Sequence, residues 1–138
     1  YQALSRSIFQ FQKNLTSAYW MMRPEYLDSI GAGAGQFQAE IRSLAAEKRY
    51  MGHQLLSSEV RSFDLQSPTL AVVTTRETWQ DTLYAASEYS PDYGDQVLAG
   101  RGPYTLEVTY TLEYGEFEYG VGWYVRTAVY AQQPPQFE

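Results

Sequence analysis

At 138 residues, 44% of them hydrophobic and 19% charged, the chain has the size and composition of one globular domain with a substantial core and no room for a second. It contains no cysteine, which excludes disulfides, thiolate zinc sites and cysteine nucleophiles. The net charge of -6 is concentrated late in the chain: after residue 79 only Arg101 and Arg126 stand against nine acidic residues, a balance that repels phosphate backbones and argues against nucleic acid as a partner.

Residues 1 to 22 place Leu4, Ile8, Phe11, Leu15, Tyr19 and Met22 three or four apart, the stripe of an amphipathic first helix. Asn14-Leu-Thr16 matches a glycosylation sequon but falls inside this helix, and such short matches arise by chance. Pro24 predicts a break and a short second helix to Ile30. Gly31-Ala-Gly-Ala-Gly35 invites comparison with phosphate loops, yet it joins two helices and lacks the lysine of a P-loop, so it reads as an interhelical turn. Phe37, Ile41, Leu44 and Ala45 start a third helix expected to run to about Met51, with Gly52 as its stop.

Beyond Gln54 the apolar period falls from about 3.6 to 2. The expected strands are Leu55 to Leu65, Thr69 to Leu83 after a turn at Ser67-Pro68, Tyr104 to Tyr114, and Trp123 to Tyr130. Residues 85 to 102 read as a long polar, glycine-rich loop. In the third strand Tyr104, Leu106, Val108, Tyr110, Leu112 and Tyr114 share one face, expected to look toward the helices, while Thr105, Glu107, Thr109, Thr111 and Glu113 form a wet, acidic one.

Helices first and an antiparallel sheet afterwards predict an α+β fold, three N-terminal helices packed on a curved, mainly antiparallel four-stranded sheet. The strand Ala71-Val-Val-Thr-Thr-Arg-Glu-Thr-Trp79, the segment Tyr104-Thr-Leu-Glu-Val-Thr-Tyr110 and the later Gly122-Trp-Tyr-Val125 carry a resemblance, together with Leu27 in the short helix and Ile41 to Tyr50 leading into His53-Gln-Leu-Leu56. In these residues the chain resembles the cone-shaped nuclear-transport-factor-2-like (NTF2-like) superfamily, and within it the IMS-type domain of plastid-division and uncharacterised bacterial proteins. The resemblance spans roughly residues 10 to 130 of this chain. It implies an NTF2-like cone and a docking role within a larger protein. The 85 to 102 insertion departs from the compact pattern of that branch.

The candidate site residues are few. His53, the only histidine, lies where the third helix gives way to the first strand; it could serve as a base beside a cone cavity, while a surface or helix-terminal position is the ordinary alternative. Glu77 is in phase with Ala71, Val73 and Trp79, which makes it a carboxylate on a mostly apolar face; an exposed Glu77, or one paired with Arg76, is the ordinary alternative. No Asp and His pair is evident to support a catalytic reading. Tyrosine is abundant, thirteen in all with nine after residue 80. Tyr84, Tyr89 and Tyr93 cluster in or beside the long loop and suit a contact surface. Tyr114 and Tyr119 flank the last hairpin's turn, where strand propensity explains them equally well.

These residues lead to a non-catalytic module for protein interaction or small-ligand binding, with Tyr84, Tyr89, Tyr93, Glu77, His53 and Trp79 as the binding candidates. The alternatives are a small cone-fold enzyme of isomerase or dehydratase type acting on an apolar substrate, and a structural subunit of a complex. A protein partner or self-association is expected, with a small apolar ligand in the cup as the other occupant, and neither cofactor nor metal is called for. The apolar runs are shorter than the roughly 18 residues of a membrane span, so this segment is not expected to insert. The start at Tyr1 without Met and the ending Gln132-Gln-Pro-Pro-Gln-Phe-Glu138 fit a processed or excised part of a longer chain. Lack of cysteine fits export and cytosol alike, and an extracytoplasmic domain of a membrane-anchored protein is one setting it allows.

Overall fold

The computed structural model describes residues 2–30, 34–88, 91–92, 94–117 and 120–137. Two α-helices and a 3-10 segment precede four strands: α1 is Gln2–Met21, the 3-10 segment Pro24–Ile30, α2 Gly35–Ala46, β1 Arg49–Ser67, β2 Leu70–Ala85, β3 Gln96–Phe117 and β4 Gly120–Tyr130. The middle one of the three expected helices is thus a 3-10 turn, as a short segment opened by proline favours. The strands form one antiparallel sheet in the order β1-β2-β3-β4, a meander in which every neighbour in space is a neighbour in sequence. The sheet curves, and α1 lies in the hollow.

The helix stripe read from the sequence is the face that is buried, with Leu4, Ile8, Phe11, Leu15, Ala18 and Tyr19 all in the core. Opposite them stand Ala71 and Val73 of β2, Leu106, Val108, Tyr110 and Leu112 of β3, and Val125 and Ala128 of β4. Phe11 meets Tyr110 and Phe37 edge-on at centroid distances of 5.7 and 5.9 Å, a geometry that aligns ring edges with ring faces. Two hydroxyls tie α1 to the two sheet margins: Ser7 Oγ donates to the Trp123 carbonyl at 2.7 Å and Thr16 Oγ1 to the His53 carbonyl at 2.9 Å. α1 closes with Met22 in the left-handed region (φ 56°) and the Arg23 N–H bonded to the Ala18 carbonyl at 3.0 Å, a 6→1 bond that terminates the helix.

Two boundaries differ from expectation for identifiable reasons. α2 stops at Ala46 rather than near Met51, because Lys48 takes a left-handed turn (φ 57°) and Tyr50 and Met51 already pair with Tyr84 and Leu83. Gly52 is therefore a strand residue. β3 starts at Gln96, so half of the expected 85 to 102 loop is strand. The glycines and proline that suggested a loop make a bulge instead: Trp79 pairs with Tyr104 and Asp81 with Arg101, leaving Gly102-Pro103 as extra residues in β3. Gly102 has φ 97°, and a Cβ there would lie 2.8 Å from the Trp79 carbonyl, so only glycine fits. Tyr114 departs from its predicted face in being largely exposed, whereas Leu106 to Leu112 and the wet face of Thr105, Glu107 and Thr109 are as read.

Candidate functional site

Three polar groups are buried on the concave face because β2 alternates in phase through Thr75, Glu77, Trp79 and Asp81. Glu77 is 1% exposed, neither at the surface nor paired with Arg76, which lies 3.9 Å from Glu107 instead. Four donors surround its carboxylate. Trp79 Nε1 donates to Oε1 at 2.9 Å, while Thr75 Oγ1, Gln12 Nε2 and the Tyr110 hydroxyl donate to Oε2 at 2.7, 3.0 and 2.5 Å. A buried carboxylate is tolerated when so saturated. Burial first, and then Glu77, push the Tyr110 hydroxyl well above its ordinary pKa, so it stays a donor.

The second cluster corrects two expectations. His53 is buried inside β1 rather than at a surface or helix end, and it is paired with an aspartate that the sequence did not single out. Its Nδ1 lies 2.5 Å from Asp81 Oδ1, its ring stacks on Trp79 at 3.8 Å and 4°, and Tyr19 leans against it at 5.2 Å. A carboxylate partner assigns the proton to Nδ1. Asp81 Oδ2 accepts from Arg101 Nε at 2.7 Å and from the Tyr104 hydroxyl at 2.6 Å. Arg101 and Tyr104 are three residues apart and would face opposite ways on a regular strand; the Gly102-Pro103 bulge turns both onto Asp81. Burial alone would raise the Asp81 pKa, but the bonds from His53, Tyr104 and Arg101 outweigh it and hold the carboxyl below its ordinary value. Arg101 is in turn covered by the C-terminal segment, with Phe137 4.2 Å from its guanidinium and the Pro135 carbonyl accepting at 3.2 Å.

His53 and Asp81 have the composition of a base and its orienting carboxylate. His53 Nε2 is enclosed, however, with no partner among the described residues. Glu77 and Trp79 likewise sit behind α1, where they organise the interior instead of presenting themselves at a surface.

The open space lies elsewhere, along the outer flank of α1. A groove of about 560 Å³ runs between Phe9, Gln12, Lys13, Thr16, Ser17 and Trp20 of α1 and Gly52 to Leu55 of β1, with Gln80, Thr82 and Tyr84 of β2 completing it. Trp20 and Tyr84 also line a second depression of about 430 Å³ with Tyr50, Pro91, Asp92, Gly94 and Asp95. Tyr50 and Tyr84 stack at 5.0 Å and 12°, and Trp20 stands edge-on to both. The Tyr50 hydroxyl donates to Asp95 at 2.8 Å, and burial followed by this bond raises its pKa to about 12.

Of the sequence candidates, Tyr84 and His53 line this groove, Glu77 and Trp79 lie in the interior, and Tyr89 and Tyr93 fall outside the described residues, as does Tyr119. The sequence reading missed Asp81, Trp20, Tyr50 and the amides Gln54 and Gln80. For Asp81 a signal existed, since it continues the alternation of Glu77 and Trp79. For Trp20 none did: it lies off the apolar stripe of α1 and reads as an incidental surface residue. Among the described residues no cluster of His, Asp and Glu could hold a metal, and no helix is long and apolar enough to cross a membrane.

With this geometry in hand, the chain was compared with known proteins. No protein-family model matches it, and no curated protein does. Among solved structures it is similar to the intermembrane-space region of the chloroplast protein ARC6, with a TM-score of 0.68 over 94% of each chain at 15% identity. The two share a fold over nearly their full lengths. That agrees with the resemblance of the strand and helix motifs to an IMS-type domain.

Proposed function

We propose that this chain is a non-catalytic binding module of the NTF2-like, IMS-type class, an accessory domain of a larger protein or assembly. One observation carries the reading: α1 packs its apolar stripe into the hollow of the sheet, so the surface left for a ligand or partner is the groove on the other flank of α1. The flank has an exposed aromatic, Trp20, at 40%, and aromatic groups with a polar edge are the usual anchors of binding surfaces. The fold it shares with a region of ARC6 supports a place within a larger protein, and an extracytoplasmic setting is compatible with that likeness.

The test is a photo-crosslinking amino acid at Gln54 in the full-length protein, expressed in its own cells. An adduct is expected, and it should disappear when Trp20→Ala or Gly52→Val is added. Absence of any adduct, or one indifferent to both substitutions, overturns the reading.

The enzyme reading draws on the His53 and Asp81 pair. It requires a substrate to reach Nε2, which the packed rings of Trp79 and Tyr19 enclose. On the module reading His53→Gln lowers stability and leaves groove capture intact.

A further inference from the structure

The groove beside α1 is lined in a way that selects among ligands. Lys13 is the only lysine, arginine or carboxylate residue among those lining it, although the chain as a whole carries sixteen acidic groups. The carboxylates of Glu77 and Asp81 lie on the opposite face of the sheet and are saturated by their own donors. What the groove presents is uncharged and polar. Gln54 and Gln80 are cross-strand partners, Thr82 follows two residues on the same face, and Gly52 opposite Thr82 leaves the floor open. Each amide offers both a donor and an acceptor.

At one end stands Trp20, fixed edge-on against Tyr50 at 5.0 Å and 88° and against Tyr84 at 5.6 Å and 83°. Its ring plane is thus set before any ligand arrives, which lowers the entropic cost of binding.

We propose that this groove binds a neutral carbohydrate, with Trp20 against the C–H face of a sugar ring and Gln54, Gln80 and Thr82 bonding its hydroxyls. The ligand class follows by exclusion and fit. An ionic ligand needs an opposite charge where it is desolvated, and the walls provide only Lys13. A wholly apolar ligand would bury the two amides without partners, which is costly. A sugar is neutral, carries hydroxyls that both donate and accept, and has an apolar face that matches an indole. A volume of about 560 Å³ lies within the range of roughly 300 to 1,000 Å³ found for ligand sites and accommodates a sugar of one or two rings. Hydrolysis of a glycosidic bond takes a pair of carboxyl groups flanking it; the groove has none, so the site binds and does not cut.

The assignment rests on the groove being the module's binding surface, and the experiment separates the two claims. The isotope-labelled domain is titrated with cellobiose, maltose and N,N'-diacetylchitobiose, and the indole N–H of Trp20 and the side-chain amides of Gln54 and Gln80 are followed by NMR. At least one disaccharide is expected to shift these signals saturably. Trp20→Ala should weaken it about tenfold or more, the loss of one good contact, and Gly52→Val, whose Cβ would sit 3.6 Å from the Trp20 and Tyr84 rings, should block the groove. Gln80→Ala, at an exposed position, checks the amide contribution without touching the core. Silence from all three sugars, or shifts unchanged in Trp20→Ala, overturns the carbohydrate assignment. If the sugars are silent while Gln54 still crosslinks a protein segment in a groove-dependent way, the ligand is a peptide and the module reading stands. If both are silent, both fall.

Discussion

Asp81 is the residue on which most of the interior polar order converges, since three side chains from three strand positions donate to one carboxylate. Its folded-state pKa is depressed from 3.8, so the unfolded chain binds more protons than the folded one at acid pH. Stability from this group is therefore present above its unfolded pKa and is lost as pH falls through the folded value. Thermal melts should show a decline beginning at roughly pH 5 and continuing downward, and Asp81→Asn should flatten that part of the profile. The same substitution leaves Arg101 facing a neutral amide and should cost about 3–5 kcal/mol at neutral pH, the usual penalty for breaking a buried ion pair, read from urea unfolding. Tyr50 acts at the other extreme. Its pKa is raised to about 12, so its stabilisation is present below its unfolded value near 10 and disappears as pH rises toward 12. Tyr50→Phe should remove that alkaline component, as tyrosinate absorbance during unfolding would show.

At the level of elements, the Gly102-Pro103 bulge decides which side chains meet. Gly102→Ala places a Cβ against the Trp79 carbonyl at 2.8 Å with φ at 97°. It should cost about 1–3 kcal/mol, the range for a strained backbone position, and circular dichroism melts would measure it. The helix α1 has two flanks with different duties. Leu15, 1% exposed in the core, should cost about 2–5 kcal/mol when cut to Ala, whereas Trp20→Ala should leave the melting temperature nearly unchanged. The sequence made the first flank legible, because a stripe at helical spacing announces burial. It made the long alternation of β2 and β3 legible for the same reason. The start of β3 was obscured because Gly100, Gly102 and Pro103 carry turn chemistry wherever they occur, and only the cross-strand register turns them into a bulge. The end of α2 was obscured because Lys48, which no propensity marks as a stop, takes the left-handed turn that Gly52 was expected to supply.

Taken whole, the molecule is a curved sheet closed over its own first helix, with its polar chemistry buried and its open surface outside. That arrangement explains why the residues with the most reactive functional groups are poor guides to the site. Glu77, Trp79 and His53 are legible as chemistry, but the fold uses them to order the core. The groove depends on Gln54 and Gln80, ordinary surface residues in the sequence that only strand pairing brings together. The central claim is that α1 fills the hollow as a fixed part of the core and leaves no cup for a ligand. Native-state hydrogen exchange of the α1 amides tests it most directly. The account predicts that Ile8 to Tyr19 exchange only through global unfolding, with the same free energy as the Val73 and Val108 amides of the sheet. Rapid exchange of those helix amides while the strands stay protected would show that α1 leaves the hollow, and would contradict it.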